Sequence, residues 1–153
     1  MAVFDDSAFD GHERVVFCHD EPTGLKAIIA IHSTALGPAA GGTRMWAYDS
    51  DDDALHDVLR LAQGMSYKNA MAGLKFGGGK AVIIKSPGFG GSAALFERYG
   101  EFVEQLGGSY VTAEDVGMTV DIIETIARKT RYIAGRAQKA GQAGTAEPLV
   151  PGV

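Results

Sequence analysis

The densest chemistry in this chain lies at Gly77-Gly78-Gly79-Lys80, an amine at the end of three consecutive glycines. Such a run costs folding entropy, but it lets the backbone take positive φ and approach another group closely, so it predicts a turn that a site demands. A second lysine, Lys68, closes the segment Gly64-Met65-Ser66-Tyr67-Lys68. If both amines converge on one pocket, burial and like charge each disfavour the ammonium form. One lysine then serves as a base near neutral pH, and the other stays charged and holds a carboxylate. The third element is Thr112-Ala113-Glu114-Asp115-Val116-Gly117, which places acids where a strand runs out into a loop, the edge at which ligands sit in α/β folds. Taken singly, each feature has a plainer reading: a solvated loop lysine, a lysine facing a helix dipole, a turn acid.

Two nucleotide-binding patterns compete for the same glycines. The phosphate loop GxxxxGK[ST] fails twice, because position 74 is Leu and Ala81 replaces the hydroxyl that would hold magnesium. Gly88-Phe89-Gly90-Gly91-Ser92-Ala93 does fit GxGxx[GA] between a strand and a helix, with Glu114 or Asp115 about 25 residues further on. It is an alternative, a small dinucleotide binder, although Pro87 abuts it and little chain follows to complete a doubly wound sheet. The histidines His12, His19, His32 and His56 show no metal-ligand spacing and read as surface or satisfied core residues.

The elements that position these groups follow from the hydrophobic pattern. Arg14–Ala35 holds two β-branched runs around Glu21-Pro22-Thr23-Gly24 and predicts an antiparallel pair of strands. Gly37-Pro38-Ala39-Ala40-Gly41-Gly42 is too glycine-rich for regular structure. Ser50 followed by Asp51-Asp52-Asp53 caps a helix whose apolar positions Leu55, Val58, Leu59, Ala62 and Met65 keep helical spacing until about Ala72, before Gly73. Ala81–Lys85 reads as a short buried strand closed by Pro87. A helix capped by Ser92 ends at Gly107-Gly108, a strand covers Tyr110–Ala113, a short helix starts near Thr119, and Tyr132-Ile133 reads as a last strand. Strands alternating with helices predict an α/β fold, a three-layer sandwich with a mixed sheet flanked by helices.

A chain of 153 residues, 46% hydrophobic and with net charge −5, has the length for one compact domain and carries no basic run for nucleic acid or anionic membrane. Its apolar stretches are far below the roughly 18 residues of a membrane span. Cys18 stands alone, which excludes an internal disulfide and a CxxC zinc site. The acidic start is unlike a signal peptide, so the expected compartment is the cytoplasm. Residues 1–135 read as the folded unit, and 136–153, rich in Gly, Ala and Pro without apolar period, as a linker or disordered tail.

The motifs above, in this order and spacing, resemble the glutamate/leucine/phenylalanine/valine dehydrogenase family from about Glu13 to Gly135. The blocks that carry the likeness are Gly37–Arg44, Met65–Asn69, Leu74–Pro87 and Thr112–Asp115. Leucine-type members are nearest, through Thr112–Gly117, and His32–Arg44 is also similar to phenylalanine-type members. Tryptophan-type members stay open. The resemblance implies NAD-dependent, reversible oxidative deamination of an L-amino acid to a 2-oxo acid and ammonia. It implies that Lys80 activates water, that Asp115 rather than Glu114 handles protons on the substrate nitrogen, and that Lys68 holds the substrate carboxylate with help from N–H groups near Gly41 and Gly42. Met65, Ala40 and Ala113 are the implied pocket residues.

Members acting on glutamate carry a lysine where this chain has Ala40. A buried carboxylate without a partner is costly, so an apolar amino acid is the expected substrate. The resemblance also implies a homo-oligomer, with Val15–Cys18 or Ala27–Ile31 as exposed edge strands for pairing, and a non-catalytic assembly module is the other alternative. The family's Rossmann-type NAD domain is not found in these 153 residues, so NAD is expected in the full-length enzyme, with none bound to this chain and no turnover by it alone.

Overall fold

The computed structural model describes residues 3–86 and 91–134. The expected tail 136–153, Pro87, and Gly88–Gly90 of the second glycine motif lie outside them. Strand β1 (Arg14–Asp20) and strand β2 (Leu25–Ser33) form the predicted antiparallel pair, with Arg14 opposite Ile31 and Asp20 opposite Leu25. Strand β3 (Ala39–Ala40), strand β4 (Thr43–Trp46), helix α1 (Asp51–Met71), strand β5 (Gly77–Ile84), helix α2 (Ala93–Gln105), strand β6 (Tyr110–Val111) and helix α3 (Val120–Ala127) follow. The sheet order is β1-β2-β5-β3-β6, with β4 also paired to β5.

The helix ends follow their capping chemistry. Ser50 accepts a hydrogen bond from the Asp53 N–H, and Asp51, Asp52 and Asp53 place negative charge at the positive end of α1. Gly73 stops the helix with φ +73°. Ser92 and Thr119 cap α2 and α3 through the N–H groups of Leu95 and Ile122.

Alternation along the strands divides the core into two layers. Ile28 and Ala30 of β2 and Val82 of β5 pack against Leu55, Val58, Leu59 and Ala62 of α1. Ile29, Ile31, Ala81 and Ile83 face the other way, onto Leu95, Phe96, Tyr99 and Val103 of α2 and Ile123 and Ile126 of α3. The three-layer sandwich is therefore the fold, with Lys80, two residues before Val82, on the α1 side.

Several local expectations change. The three glycines before Lys80 form no turn: Gly77, Gly78 and Gly79 are buried in β5, and none has positive φ. They are small because neighbours occupy the space a side chain would need. A Cβ on Gly77 would overlap the Ser33 carbonyl oxygen, one on Gly78 the backbone and hydroxyl of Ser66 in α1, and one on Gly79 would lie 2.9 Å from the Tyr110 ring. The segment Gly37–Gly42 is less irregular than its composition suggests, because Ala39 and Ala40 pair with β5 and β6 at once. Strand β4 has no counterpart among the predicted elements, being only four residues between glycines and turn residues. β6 is shorter than expected, and Ile133 contributes a single bridge to Thr112 instead of a strand. β2 is internal, flanked by β1 and β5, so Ala27–Ile31 is not an exposed edge; β1 is.

Two glycines on α1 and β5 give opposite tests of this packing. Gly64 in α1 is exposed with nothing within 4 Å of an added Cβ. Gly64→Ala is expected to stabilise the chain by about 0.5–1 kcal/mol through helix propensity. Gly78→Ala is expected to destabilise it by roughly 1–3 kcal/mol or more through overpacking against Ser66. Urea unfolding of both variants checks the signs.

Candidate active site

The site forms where one strand is interrupted. Ala40 is opposite Gly78 and Thr43 is opposite Ala81, an unbroken parallel register that sets Gly41 and Gly42, between β3 and β4, beside Gly79 and Lys80. On the other side Ala40 is opposite Val111 and Thr43 opposite Glu114, which brings Arg44 alongside Asp115. Both glycines are required by close approach. A Cβ on Gly41 would overlap the Gly79 carbonyl oxygen and come within 3.1 Å of Met65 Cγ. One on Gly42 would lie 2.7 Å from the Glu114 carbonyl oxygen and 3.1 Å from Asp115 Cβ.

Lys80 Nζ is ion-paired with Asp115 Oδ2, with the lysine side chain 8% and the aspartate 18% exposed. Asp115 Oδ1 accepts the Val116 N–H at 2.6 Å, and Arg44 Nη2 is 3.9 Å away. Burial pushes the Asp115 carboxyl up, but the Lys80 hydrogen bond, the Val116 N–H and the charges of Lys80 and Arg44 together hold it below its usual range. It is a carboxylate at neutral pH. The charge that Lys80 meets is thus opposite, where the sequence suggested a like one.

Of the other predicted residues, Met65 covers Gly41, Ala40 ends β3 and Ala113 lies two residues beyond β6, both half-buried. Lys68 is exposed on α1, one turn beyond Met65 and therefore on the same face, and makes no ion pair among the described residues. Glu114 is exposed and contributes its backbone to the bridge with Thr43. His12 is buried, with Nε2 2.8 Å from the Leu59 carbonyl, while His32 bonds Ser66 and Asp10 and His56 bonds Asp6.

Sequence reasoning missed the groups that hold the interruption open. Asn69, next to Lys68 but buried, donates to the Gly77 carbonyl at 2.8 Å and the Ala40 carbonyl at 3.2 Å, tying β5 and β3 to α1. Beneath the glycines, Tyr110 donates to the Gly41 carbonyl at 2.7 Å, and its hydroxyl lies 3.1 Å from Thr112 Oγ1. Thr43 Oγ1 bonds Thr112 and, at 2.6 Å, Tyr99. Burial pushes the Tyr110 phenol up to about 12, so it remains a donor. The alternate spacing of Tyr110 and Thr112 was the one available signal, two polar side chains on the same face of a strand.

Comparison with known proteins identifies relatives of the chain as a whole. The family model described as the Glu/Leu/Phe/Val dehydrogenase dimerisation domain matches residues 12–132. The leucine dehydrogenase of Geobacillus stearothermophilus is 53% identical over 137 residues, covering 90% of this chain and 37% of that protein. The valine dehydrogenase of Streptomyces coelicolor is 56% identical over 139 residues, covering 91% of this chain and 38% of that protein. The crystal structure of L-tryptophan dehydrogenase from Nostoc punctiforme superposes with a TM-score of 0.77 at 48% identity, covering 81% of this chain and 37% of that one. The chain therefore spans well under half the length of these relatives.

Asn69 is the residue whose loss isolates the clamp. Asn69→Ala leaves the Gly77 and Ala40 carbonyls without that donor, and an unsatisfied buried acceptor costs about 1–3 kcal/mol. A loss of that size in urea unfolding is the expected outcome; a change below about 0.5 kcal/mol would show that other donors replace it.

Proposed function

The chain belongs to the Glu/Leu/Phe/Val dehydrogenase family, and on that premise we propose that it is the substrate-binding, catalytic part of an NAD-dependent L-amino-acid dehydrogenase. Its reaction is the reversible oxidative deamination of an apolar amino acid such as leucine to the 2-oxo acid and ammonia. The observation that carries this reading is the buried Lys80–Asp115 pair beside the Gly41–Gly42 interruption. Residues 1–135 form the substrate unit in this reading, with NAD bound by the full-length enzyme rather than by this chain.

The nicotinamide cofactor supplies hydride acceptance in this family. The described residues do not fit as its cradle, because Gly41, Gly42, Gly77, Gly78 and Gly79 are filled by the chain's own atoms and leave no room for a pyrophosphate. The residues here bind substrate and move protons. The substrate carboxylate sits against Lys68 and the Gly42 N–H, since the Gly41 N–H is held by the Val111 carbonyl at 3.2 Å, with its side chain among Ala40, Met65 and Ala113. Its nitrogen meets Asp115, whose carboxylate form accepts a proton from it. Substrate entry separates Lys80 from Asp115. Lys80, having given its ammonium proton to solvent as the ion pair parts, then takes a proton from water as the oxygen attacks the imine carbon, and returns it to the nitrogen as ammonia leaves.

Ala40 supports the apolar assignment, since no cation at that position balances a side-chain carboxylate. Assembly through β1 accompanies catalysis in this reading: β1 is the sheet edge, Phe17 on it is 58% exposed, and the matching family model is described as a dimerisation domain. No helix among the described residues is long and apolar enough to cross a membrane. With Cys18 buried and unpaired, a cytoplasmic homo-oligomer fits.

Calorimetric titration of the chain with 4-methyl-2-oxopentanoate and with 2-oxoglutarate tests the substrate reading. The first is expected to bind more tightly, with Ala40→Lys reversing the order; equal or opposite preference in the parent chain sinks it. In a form joined to a family NAD domain, Lys80→Ala is expected to lower turnover at least about a hundredfold while the fold is kept.

A further inference from the structure

Asp115 lies in the loop between β6 and α3, where no helix or sheet ladder holds its side chain. Among the described residues its carboxylate has contacts of three kinds: Lys80 at Oδ2, the Val116 N–H at Oδ1, and Arg44 Nη2 at 3.9 Å from Oδ1. The proposed reaction removes the first of these, because Lys80 turns to water and substrate. The second comes from the adjacent residue of the same loop and moves with it. Arg44 is the charged contact that comes from a different element and that the reaction leaves in place.

Arg44 is itself anchored. It lies on β4 beside Val82, on the face turned to α1, and donates through Nη1 to Asp57 Oδ2 at 3.2 Å. Asp57 is fixed in turn by Tyr48, whose hydroxyl donates to Oδ2 at 2.5 Å, and by Arg60, whose Nη2 donates to Oδ1 at 2.8 Å. Burial pushes the Asp57 carboxyl up, but Tyr48, Arg60 and Arg44 hold it below its usual range, so the anchor is an anion. The guanidinium therefore spans two carboxylates, one on a rigid helix and one on a loop, with its side chain 24% exposed. A planar fork of donors suits that bridging task better than a point charge.

We propose that Arg44 is a positioning residue for the reaction: mounted on α1 through Asp57 and Tyr48, it fixes the Asp115 carboxylate and keeps it charged while Lys80 is engaged with substrate. This rests on the reading of Lys80 and Asp115 as the reacting pair. The titratable groups facing Asp115 are Lys80 from β5, Arg44 from β4, Tyr48 from the β4–α1 connection, Tyr110 from β6, and Asp57 from α1 behind Arg44. With Lys80 withdrawn, Arg44 is the cation left in that set. Asp57 takes one of its terminal nitrogens and leaves Nη2 for Asp115.

The test uses the 153-residue chain with 13C-labelled aspartate, following the Asp115 carboxyl by NMR as pH falls. Lys80→Ala reproduces the state in which the lysine has withdrawn. In that background the Asp115 midpoint is the reference, and adding Arg44→Gln is expected to raise it by about one unit, a tenfold gain in proton affinity. Arg44→Lys is expected to recover part of the difference. An Asp115 midpoint unmoved by Arg44→Gln in a folded chain overturns the proposal, as does an equal shift from Arg44→Lys and Arg44→Gln, which would assign the effect to packing. Should Arg44→Gln fail to fold, the Arg44 guanidinium 15N signals of the Lys80→Ala chain decide. They are expected to shift with the Asp115 midpoint, and signals that ignore it overturn the proposal. Failure of the underlying reading shows elsewhere, as turnover retained by Lys80→Ala in the joined enzyme.

Discussion

Close contact of backbone with backbone, at positions where no side chain fits, is the constraint on which this structure rests. β3 and β4 are one strand in register, yet between them Gly41 and Gly42 come so near Gly79, Glu114 and Asp115 that a methyl group on either would collide. The same holds across β5, where Gly77 abuts Ser33 and Gly78 abuts Ser66 of α1. With no side chains filling this space, Lys80, the first residue of β5 with a long one, extends along the α1 face to reach Asp115. The entropy cost of five glycines is offset by what surrounds them: Asn69 and Tyr110 satisfy the carbonyls that the interruption would otherwise orphan.

On this frame the charges alternate. Lys80, Asp115, Arg44 and Asp57 follow one another from β5 through the β6–α3 loop and β4 to α1, each in contact with the next. Partly buried charges persist only when paired, and each member here has a neighbour of opposite sign. A reaction that takes Lys80 out of the chain leaves Asp115 dependent on Arg44, which is why the far end of the series bears on the near one. The tyrosine and threonine hydroxyls on the opposite face carry no such charge, and their part is to hold the sheet in place beneath it.

Much of the scaffold was legible because its causes are local. Ser50, Ser92 and Thr119 cap helices at the residues their types announce, Gly73 ends α1, and the β1–β2 hairpin turns at Glu21–Gly24. The site was legible in part. Lys80, Asp115, Gly41, Gly42 and Met65 come together, whereas Lys68 is placed only to the same helix face as Met65. β4 and the role of Asn69 were not legible, since a four-residue strand has too few positions to show a period, and a buried amide beside an exposed lysine looks like any other polar residue near a helix end.

What the sequence determined by itself was the set of parts: which segments are helices and strands, which glycines are unusual, and which lysines and acids were worth following. Capping, period and composition act over a few residues, so they survive in a one-dimensional record. Only the tertiary structure decided what the glycines were for. A glycine chosen for positive φ and one chosen for lack of space read identically along the chain. The difference lies in atoms contributed by residues far away, Ser33 and Ser66 against Gly77 and Gly78, and Glu114 against Gly42. The same is true of the sign of the charge beside Lys80, set by a loop that arrives from 35 residues further along at Asp115.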